Sequence, residues 1–425
     1  MAERNSFETC MEKLIALVNG EEFLKMARSS SVDFTRNRKM GFASYIWYFL
    51  LHCARSLSTG LHAFQQAFRE NDDVITKQGF SKGRRRIRPE AIAYLVDFTR
   101  DQFYKTAEAQ LWNGYRLLAI DGSKVNLPTA PELVEHFGCQ KESGGQVQAL
   151  ASCLYDVLNG IVVHGLFEPV LSSERDLASE HLRALVQMEQ GQETVSNVVL
   201  FDRGYPSAHL IEELENAGLK YAMRCSSEFL RSVRYSGNDC IVTHQFLAIR
   251  RPMRLRIVQV ILNNGETEYI VTNLFDKGLT VKDFQQLYHF RWGIETNYNT
   301  MKHKLRMEDF TGHTVDAVLQ DFYATLTSVN LLACIIHDNL KEIEEMQKDS
   351  GNKYPYIQNI NQTIGMMRNR LLEIVAAKSP RRRNMLYRKL LAETRRNLVP
   401  VRSGRSFPRG VRHKSAHYSH NTKQA

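Results

Sequence analysis

The chain has 425 residues, of which 43% are hydrophobic and 24% are charged, and its formal net charge is +10. These values indicate a globular protein of two or three domains and exclude a fibrous or wholly disordered chain. Its seven cysteines are scattered without a CxxC pair, and its apolar runs are too short to cross a bilayer, so we expect a cytoplasmic protein without a disulfide framework, a zinc ribbon or a membrane span.

Residues 1–110 show apolar residues at three- and four-residue spacing and are predicted to be helical. Near the end of this region a basic turn precedes Pro89, where a further helix is predicted to begin. The turn contains Lys82, Arg84, Arg85, Arg86 and Arg88. Such a turn suits contacts to the phosphates of DNA, and a plain exposed loop is an equally good reading of it.

From Tyr115 the pattern changes to strands alternating with helices. A short apolar run is predicted to end as a strand at Asp121, a hairpin is predicted around Asn159-Gly160, and the run "NVVLF" is predicted to end as a strand at Asp202. The order strand, strand, strand, helix, strand, helix, strand predicts a partly parallel sheet covered by helices, which is an α/β fold.

A β-rich segment of about residues 226–282 follows and is predicted to be a separate insertion. Helices are then predicted to continue to about Leu391.

From Ser379 to Ala425 the chain has thirteen Lys or Arg against one acid, a net charge of +12, whereas the rest of the chain has a net charge of −2. This basic tail indicates a polyanionic partner, most often nucleic acid, and the alternative is a tail that only improves solubility.

Two strands that each end on an aspartate predict an acidic site at one edge of the sheet. Groups at the carboxyl ends of such strands line the functional crevice. Asp121, Asp202 and a glutamate from a nearby helix would give the oxygen-only ligand set that Mg²⁺ or Mn²⁺ prefers. For either aspartate alone, a turn or capping role is the simpler reading.

The glutamate comes from the segment "YHFRWGIETNYNTMKHKL". If this segment is one α-helix, Tyr288, Arg291, Glu295 and Lys302 fall within roughly 60° of one another on its surface. The stripe is compatible with a site that binds phosphates and a metal, and equally with a solvated ladder of salt bridges.

These residues resemble a known family. Asp121 in "AIDGS", Asp202 in "LFDRGY" and the spacing Y-x2-R-x3-E-x6-K are similar to insertion-sequence transposases of the IS4 type, which have a DDE active site on a ribonuclease H-like fold. The resemblance extends from about residue 60 to the basic C-terminus and includes the β-rich insertion. It implies a helical DNA-binding domain (1–110), a ribonuclease H-like catalytic domain (111–310, with the insertion at about 226–282) and a C-terminal helical region with a basic tail (311–425).

The resemblance also implies roles for these residues. Asp121, Asp202 and Glu295 would be catalytic and would bind Mg²⁺ or Mn²⁺, while Tyr288, Arg291 and Lys302 would contact phosphates of the DNA end. The expected partners are the terminal inverted repeats of the element itself and the target DNA, bound by a homodimer, in a nucleoid-associated protein of the cytoplasm.

The expected activity is metal-dependent cleavage of the element's ends and joining of the 3′ ends to target DNA. Two alternatives stay open at this point. One is a catalytically inactive protein that binds element ends and represses transposition, and the other is a metal-dependent nuclease without strand transfer.

Overall fold

The computed structural model describes residues 5–36, 38–51, 56–68, 74–140, 144–191, 195–226, 228–229, 237–261, 265–348 and 351–402. The chain divides into two compact units. The first consists of Met1–Glu108, Asn126–Val147 and Met301–Ala425, and the second of Ala109–Val125 and Gln148–Thr300. The first unit therefore combines helices from the regions that the sequence assigns to the N-terminal domain and to the C-terminal region.

The second unit is an α/β structure built on one eight-stranded sheet. The strands are β1 (Arg116–Asn126), β2 (Gln148–Asp156), β3 (Ile161–Pro169), β4 (Asn197–Phe201), β5 (Lys220–Cys225), β6 (Asp239–His244), β7 (Met253–Ile261) and β8 (Thr267–Thr272). They lie in the order β3-β2-β1-β4-β5-β8-β7-β6, and β4 pairs in parallel with both β1 and β5. The helices of this unit are α8 (Glu174–Glu189), α9 (Ala208–Asn216) and α10 (Val281–Asn299).

The predicted order of elements between residues 115 and 225 is confirmed except for one additional helix, α7 (Pro131–Phe137), between the first two strands. β2 and β3 form the predicted antiparallel hairpin, and Gly160 at its turn has a φ of 72°, a conformation that favours glycine. The strands of the sheet centre consist almost entirely of buried apolar residues, as expected for strands that are covered on both faces. The mixed sheet with helices agrees with the predicted ribonuclease H-like α/β class.

The β-rich segment is confirmed as β-rich, but the prediction that it is separate is wrong. Its strand β8 pairs antiparallel with β5, and β7 and β6 extend the same sheet beyond it. Without this pairing β5 would expose a row of unpaired backbone groups at the sheet edge, which is unfavourable for an apolar strand. Periodicity within the segment carries no information about that long-range pairing.

The first unit is helical. Its helices are α1 (Ser6–Val18), α2 (Glu21–Ala27), α3 (Phe42–Leu51), α4 (Leu57–Phe68), α5 (Lys77–Arg84), α6 (Pro89–Thr106), α7 (Pro131–Phe137), α11 (Val315–Lys348), α12 (Ile360–Ala376) and α13 (Pro380–Arg395). A short antiparallel pair, β9 (Tyr356–Gln358) and β10 (Leu398–Pro400), completes it. α11 is long and apolar enough to cross a membrane, but most of its apolar part is buried against neighbours that include α6, α1 and α3, so it is the core helix of this unit.

Part of the predicted basic tail is folded. α13 buries Leu386, Tyr387 and Leu390, and Arg383 makes a two-pronged ion pair with Glu12 of α1, with N–O distances of 2.7 and 2.9 Å. Removing the whole of Ser379–Ala425 would therefore remove core packing along with charge. The stretch 403–425, which lies outside the described residues, has five Lys or Arg and no acid, and it is the part of the tail whose charge can be tested separately.

Candidate active site

Asp121 lies on β1, and Asp202 directly follows the neighbouring parallel strand β4. β1 and β4 pair from Arg116 opposite Asn197 to Ala119 opposite Leu200, a constant offset of 81 residues. Asp121 and Asp202 have the same offset, so they follow the paired region at the same level. β4 ends immediately before Asp202, as predicted.

The prediction that β1 ends at Asp121 is wrong. The strand continues to Asn126, and Gly122 does not have the positive φ that a glycine turn would need. Val125 is completely buried, so the polar residues around it belong to a strand with one buried face rather than to a turn. Asp121 thus sits within a strand, where its backbone is fixed on both sides.

Helix α10 contributes the glutamate and the arginine of the site. It begins at a capping box formed by Thr280 and Asp283 and packs against β7 and β4. The guanidinium of Arg291 donates to Glu295 with an Nη2–Oε1 distance of 2.8 Å, and its Nη1 lies 3.9 Å from Oδ2 of Asp202. Arg291 is only 4% exposed, so this cation is buried between the acids that it neutralises.

Asp121 is held in an environment that disfavours its charge. The pKa of Asp121 is raised to about 7, mainly by burial and to a smaller extent by the charges of Glu174 and Glu295. The Gly122 N–H and Arg291 oppose this shift. Glu174, at the start of α8, is a fourth acid of the site that the sequence analysis missed. A Cβ atom on Gly122 would lie 3.1 Å from Oε1 of Glu174, so the glycine leaves room for this carboxylate beside Asp121.

The donor chemistry fits a hard divalent cation. All the candidate ligands are carboxylates, and Oδ1 of Asp202 is buried without a hydrogen-bond partner among the described residues. Within that part of the chain, however, no three acidic, histidine or cysteine side chains lie close enough together to hold one ion. We attribute this to Arg291, whose guanidinium lies between Asp202 and Glu295 and supplies the positive charge.

A second arginine, also missed by the sequence analysis, adjoins Asp202. Nη1 of Arg224 lies 3.5 Å from Oδ1 of Asp202, and the same guanidinium forms two hydrogen bonds to Glu268, which is buried. The ring of Tyr288 contacts both guanidiniums, with centroid distances of 5.5 Å to Arg224 and 5.8 Å to Arg291. Tyr288, Arg291 and Glu295 are therefore brought together with Asp202.

Lys302 does not share the α-helical stripe. The α-helix ends at Asn299 and is followed by a π-helical turn, Thr300–Lys304, in which the spacing of an α-helix no longer holds. Lys302 belongs to the first unit, where burial lowers its pKa and the neighbouring Glu308 opposes that shift. Its contact with DNA stays a prediction.

Tyr298 connects the helix of the site to its central strand. The hydroxyl of this buried tyrosine donates to the carbonyl oxygen of Asp121 at 2.8 Å and lies 3.1 Å from the carbonyl oxygen of Ala151. Because Tyr298 lies one helical turn after Glu295, this contact fixes the distance between the helix and the strand that bear two of the acids. No motif in the sequence pointed to it.

The basic turn of the first unit is partly buried, and one of its predicted DNA contacts must be corrected. Arg84 is 2% exposed, pairs with Asp321 at 2.9 Å and donates to Gln320 at 2.8 Å. Its guanidinium also lies 4.9 Å from the ring centroid of Phe49. Arg84 therefore joins α5 to α11 and is not available to DNA, because an unpaired buried acid would remain if it left.

The other cations of the turn remain at the surface. Lys82, Arg85 and Arg88 are exposed, and Arg86 is half-buried, with Nε 3.5 Å from Oδ1 of Asp33. Their contacts with DNA stay predictions. The alternative prediction of a plain exposed loop does not hold for the whole segment, because helix α5 extends to Arg84.

The sequence of the chain matches a transposase family and a transposase from that group of proteins. Residues 112–331 match the sequence profile of the family described as the transposase DDE domain. The chain is 22% identical over 366 residues to the transposase InsG for insertion sequence element IS4 of Escherichia coli (strain K12), which covers 82% of this chain and 79% of that protein. Its structure is also similar to the piggyBac transposase synaptic complex with hairpin DNA, with a TM-score of 0.47, 12% identity, and coverage of 94% of this chain and 88% of that one.

Proposed function

We propose a cut-and-paste reaction for this chain, because it belongs to the transposase DDE domain family and is an IS4-type DNA transposase. In this divalent-metal-dependent reaction it cuts the ends of its own insertion sequence and joins the freed 3′ ends to target DNA. The observation that carries the proposal is the convergence of Asp121, Asp202 and Glu295 around the buried guanidinium of Arg291. Arg291 is the cation between these carboxylates, and Arg224, which lies 3.5 Å from Asp202, is shared with the buried Glu268. The negative charge of the site therefore exceeds its positive charge, and a metal ion would complete it.

Asp121, Asp202 and Glu295 are the residues that would hold Mg²⁺ or Mn²⁺. When bound, such ions activate an attacking water or hydroxyl and stabilise the leaving oxygen of a phosphodiester. The chain itself orients the ligands. The parallel pairing of β1 and β4 sets Asp121 level with Asp202, and Tyr298 sets the position of α10.

Arg291 has two roles in this proposal. In the protein without metal or DNA it neutralises Asp202 and Glu295. If a bound metal ion supplied that charge, the guanidinium fork would be available to a phosphate of the DNA end, which it could bind through two parallel hydrogen bonds. Tyr288 and Lys302 would contact further phosphates.

The partners we propose are the terminal inverted repeats of the element and the target DNA, bound by a homodimer in a synaptic complex, and the place of action is the nucleoid of the cytoplasm. Residues 1–110 would serve as a DNA-binding domain, with Lys82, Arg85, Arg86 and Arg88 as phosphate contacts. The inactive repressor and the simple nuclease are distinguished from this proposal by the products that DNA assays yield.

A first prediction concerns metal and pH. Protons compete with metal at Asp121, whose pKa of about 7 lies above its ordinary value of 3.8. We expect the affinity for Mn²⁺ to fall as the pH is lowered through about 7, approaching tenfold per pH unit below it, and to be measurable by calorimetry without DNA. Asp121→Asn should abolish this dependence, and a wild-type affinity that does not change between about pH 8 and about pH 6 would contradict the assignment.

The same pKa fixes the sign of a stability effect in the metal-free protein. Between the ordinary pKa of 3.8 and about 7 the folded state binds more protons at Asp121 than the unfolded state does. The contribution of this residue to the free energy of unfolding therefore decreases as the pH rises through that window.

For the whole reaction with DNA, we expect cleavage in Mg²⁺ or Mn²⁺. We expect no cleavage in Ca²⁺ or in excess EDTA.

A second prediction concerns Tyr298. Tyr298→Phe removes only the hydroxyl that joins α10 to β1, so we expect cleavage to slow about 3- to 10-fold and the free energy of unfolding to fall by about 1 kcal/mol. Tyr221→Phe is the matched control, because the Tyr221 hydroxyl lies 3.4 Å from Glu215 and contacts none of the four acids. Equal cleavage rates for the two variants would show that the Tyr298 hydroxyl does not position the site.

A further inference from the structure

The first unit contains a basic cavity that includes two of the proposed phosphate contacts, Lys82 and Arg86, together with residues to which no role has been given. The cavity has a volume of about 440 Å³ and lies between the loop before α3, α3 itself and α5. Its described lining includes four cations and no acid; the cations are Arg38, Lys39, Lys82 and Arg86. An adjoining cavity of about 280 Å³ shares Arg38 and Arg86 with it and adds Arg36 and Asp33. The two together form a concave surface of strongly positive charge.

Most of this charge has no acidic partner in the part of the chain that the structure describes. Arg36, Arg38 and Lys82 are exposed and form no ion pair within the described residues. Arg86 faces the single acid, Asp33, at 3.5 Å. Cations that are held around one cavity without acidic partners repel one another, and an anion that enters the cavity relieves this repulsion.

The floor of the cavity supplies a hydrogen-bond donor. Tyr45 is 3% exposed, and its hydroxyl has no hydrogen-bond partner within the described part of the chain. It lies directly against the backbone of Gly83, where any Cβ atom would collide with it. Burial raises the pKa of Tyr45 to about 12, although Arg86 and Arg38 lower it, so the hydroxyl is protonated at neutral pH and can donate.

One wall of the cavity is a loop in an unusual conformation. Phe34 has a φ of 60°, which is rare for a bulky residue, and its ring packs on Phe42 and Tyr45 with centroid distances of 5.5 and 5.8 Å. Residues kept in such conformations are held by their surroundings and occur preferentially at ligand sites. Here the turn brings Arg36 and Arg38 to the cavity.

We propose that this cavity binds one backbone phosphate of a DNA strand, with the Tyr45 hydroxyl donating to a phosphate oxygen and with Arg38 and Lys82 beside it. A cavity of this size accommodates a phosphate together with its sugar. The choice of DNA as the polyanion rests on the proposed function. This site adds two residues that no motif singled out, Arg38 and Tyr45, to the DNA contacts predicted for the exposed turn of α5.

Binding of a fluorescent DNA duplex without metal, measured at several salt concentrations, tests the proposal. Tyr45→Phe keeps the packed ring and removes one donor to a charged group, so we expect affinity to fall about tenfold with the salt dependence unchanged. Arg38→Ala removes a charge that neutralises a phosphate, so the log–log slope against salt should become less steep by about 0.9. Arg38→Lys should keep the wild-type slope.

Lys105→Ala is the matched control, because it removes one exposed charge from α6 of the same unit and should bind as the wild type does. Wild-type affinity for Tyr45→Phe together with a wild-type slope for Arg38→Ala would overturn the cavity proposal and leave the proposed function intact. Failure of the wild-type protein to bind any duplex would contradict both. Circular dichroism melting of each variant separates loss of binding from loss of folding.

Discussion

Asp121→Asn, Asp202→Asn and Glu295→Gln are each expected to slow DNA cleavage and strand joining by about 10³-fold or more while leaving DNA binding near the wild-type level. Each change removes one carboxylate from the group that would hold the metal, and metal ions contribute several kcal/mol to stabilising the charge of a phosphoryl transition state. At about 1.4 kcal/mol per tenfold in rate, the loss of that stabilisation gives an effect of this size. Gel assays of cleavage and of binding to the same labelled DNA measure the two quantities side by side.

Glu180→Gln provides the control for these variants. Glu180 is an exposed acid of α8 in the same unit, and its replacement by the amide removes the same charge away from the site. We expect it to cleave as the wild type does. If one of the three site variants also cleaves at the wild-type rate, that residue is not a metal ligand and the candidate site is misassigned.

Arg291→Lys is expected to have the second largest effect, a loss of about 100-fold in cleavage. The ammonium of lysine cannot bind a phosphate through two parallel hydrogen bonds, nor can it reach Asp202 and Glu295 together as the fork does. The sequence alone predicts an unchanged melting temperature. The structure changes that expectation, because Arg291 is buried among acids, and we now expect the free energy of unfolding to fall by about 1–2 kcal/mol.

Arg116→Lys is the control that separates the loss of cleavage activity from the loss of stability. Arg116 pairs with Glu189 and donates to Asn197 at 2.7 Å at the start of β1, away from the acids of the site. We expect this variant to lose a similar amount of stability and to keep its cleavage activity. If Arg291→Lys cleaves as fast as Arg116→Lys, Arg291 is a structural residue and its contact with DNA is refuted.

Local pattern predicted much of the second unit. The central strands are short, almost purely apolar runs bounded by turns, and a parallel sheet requires such strands to be covered on both faces. The position of Asp202 after its strand followed from the same pattern. The prediction that the strand ends at Asp121 was wrong, because the apolar run stops there while the strand continues with only one buried face. Helix α7 was missed although Pro131 at its first turn is a helix-start signal.

What the sequence could not predict depends on contacts distant along the chain. Arg84 looks like its exposed neighbours, and only the packing of α5 on α11 brings it to Asp321, 237 residues away. Glu174 and Arg224 were likewise not singled out from the sequence, and they are identified only by what surrounds Asp121 and Asp202. The π-helical turn after Asn299 could not be predicted from residue angles on one regular α-helix. Each of these features changes which residues are available to a metal ion or to DNA.

The central claim is that this acidic site carries out strand transfer as well as cleavage. Joining of pre-cleaved ends tests it directly, because the substrate already has free 3′-hydroxyls and cleavage is not needed. DNA from the flanks of the gene, cut at the element boundary, is incubated with the wild-type protein, Mg²⁺ and a supercoiled plasmid. We predict joined products that require Mg²⁺ and that are absent with Glu295→Gln. In a parallel reaction with uncut ends, cleavage without joined product in either reaction would instead identify a nuclease, and binding without either product would identify an inactive end-binding protein.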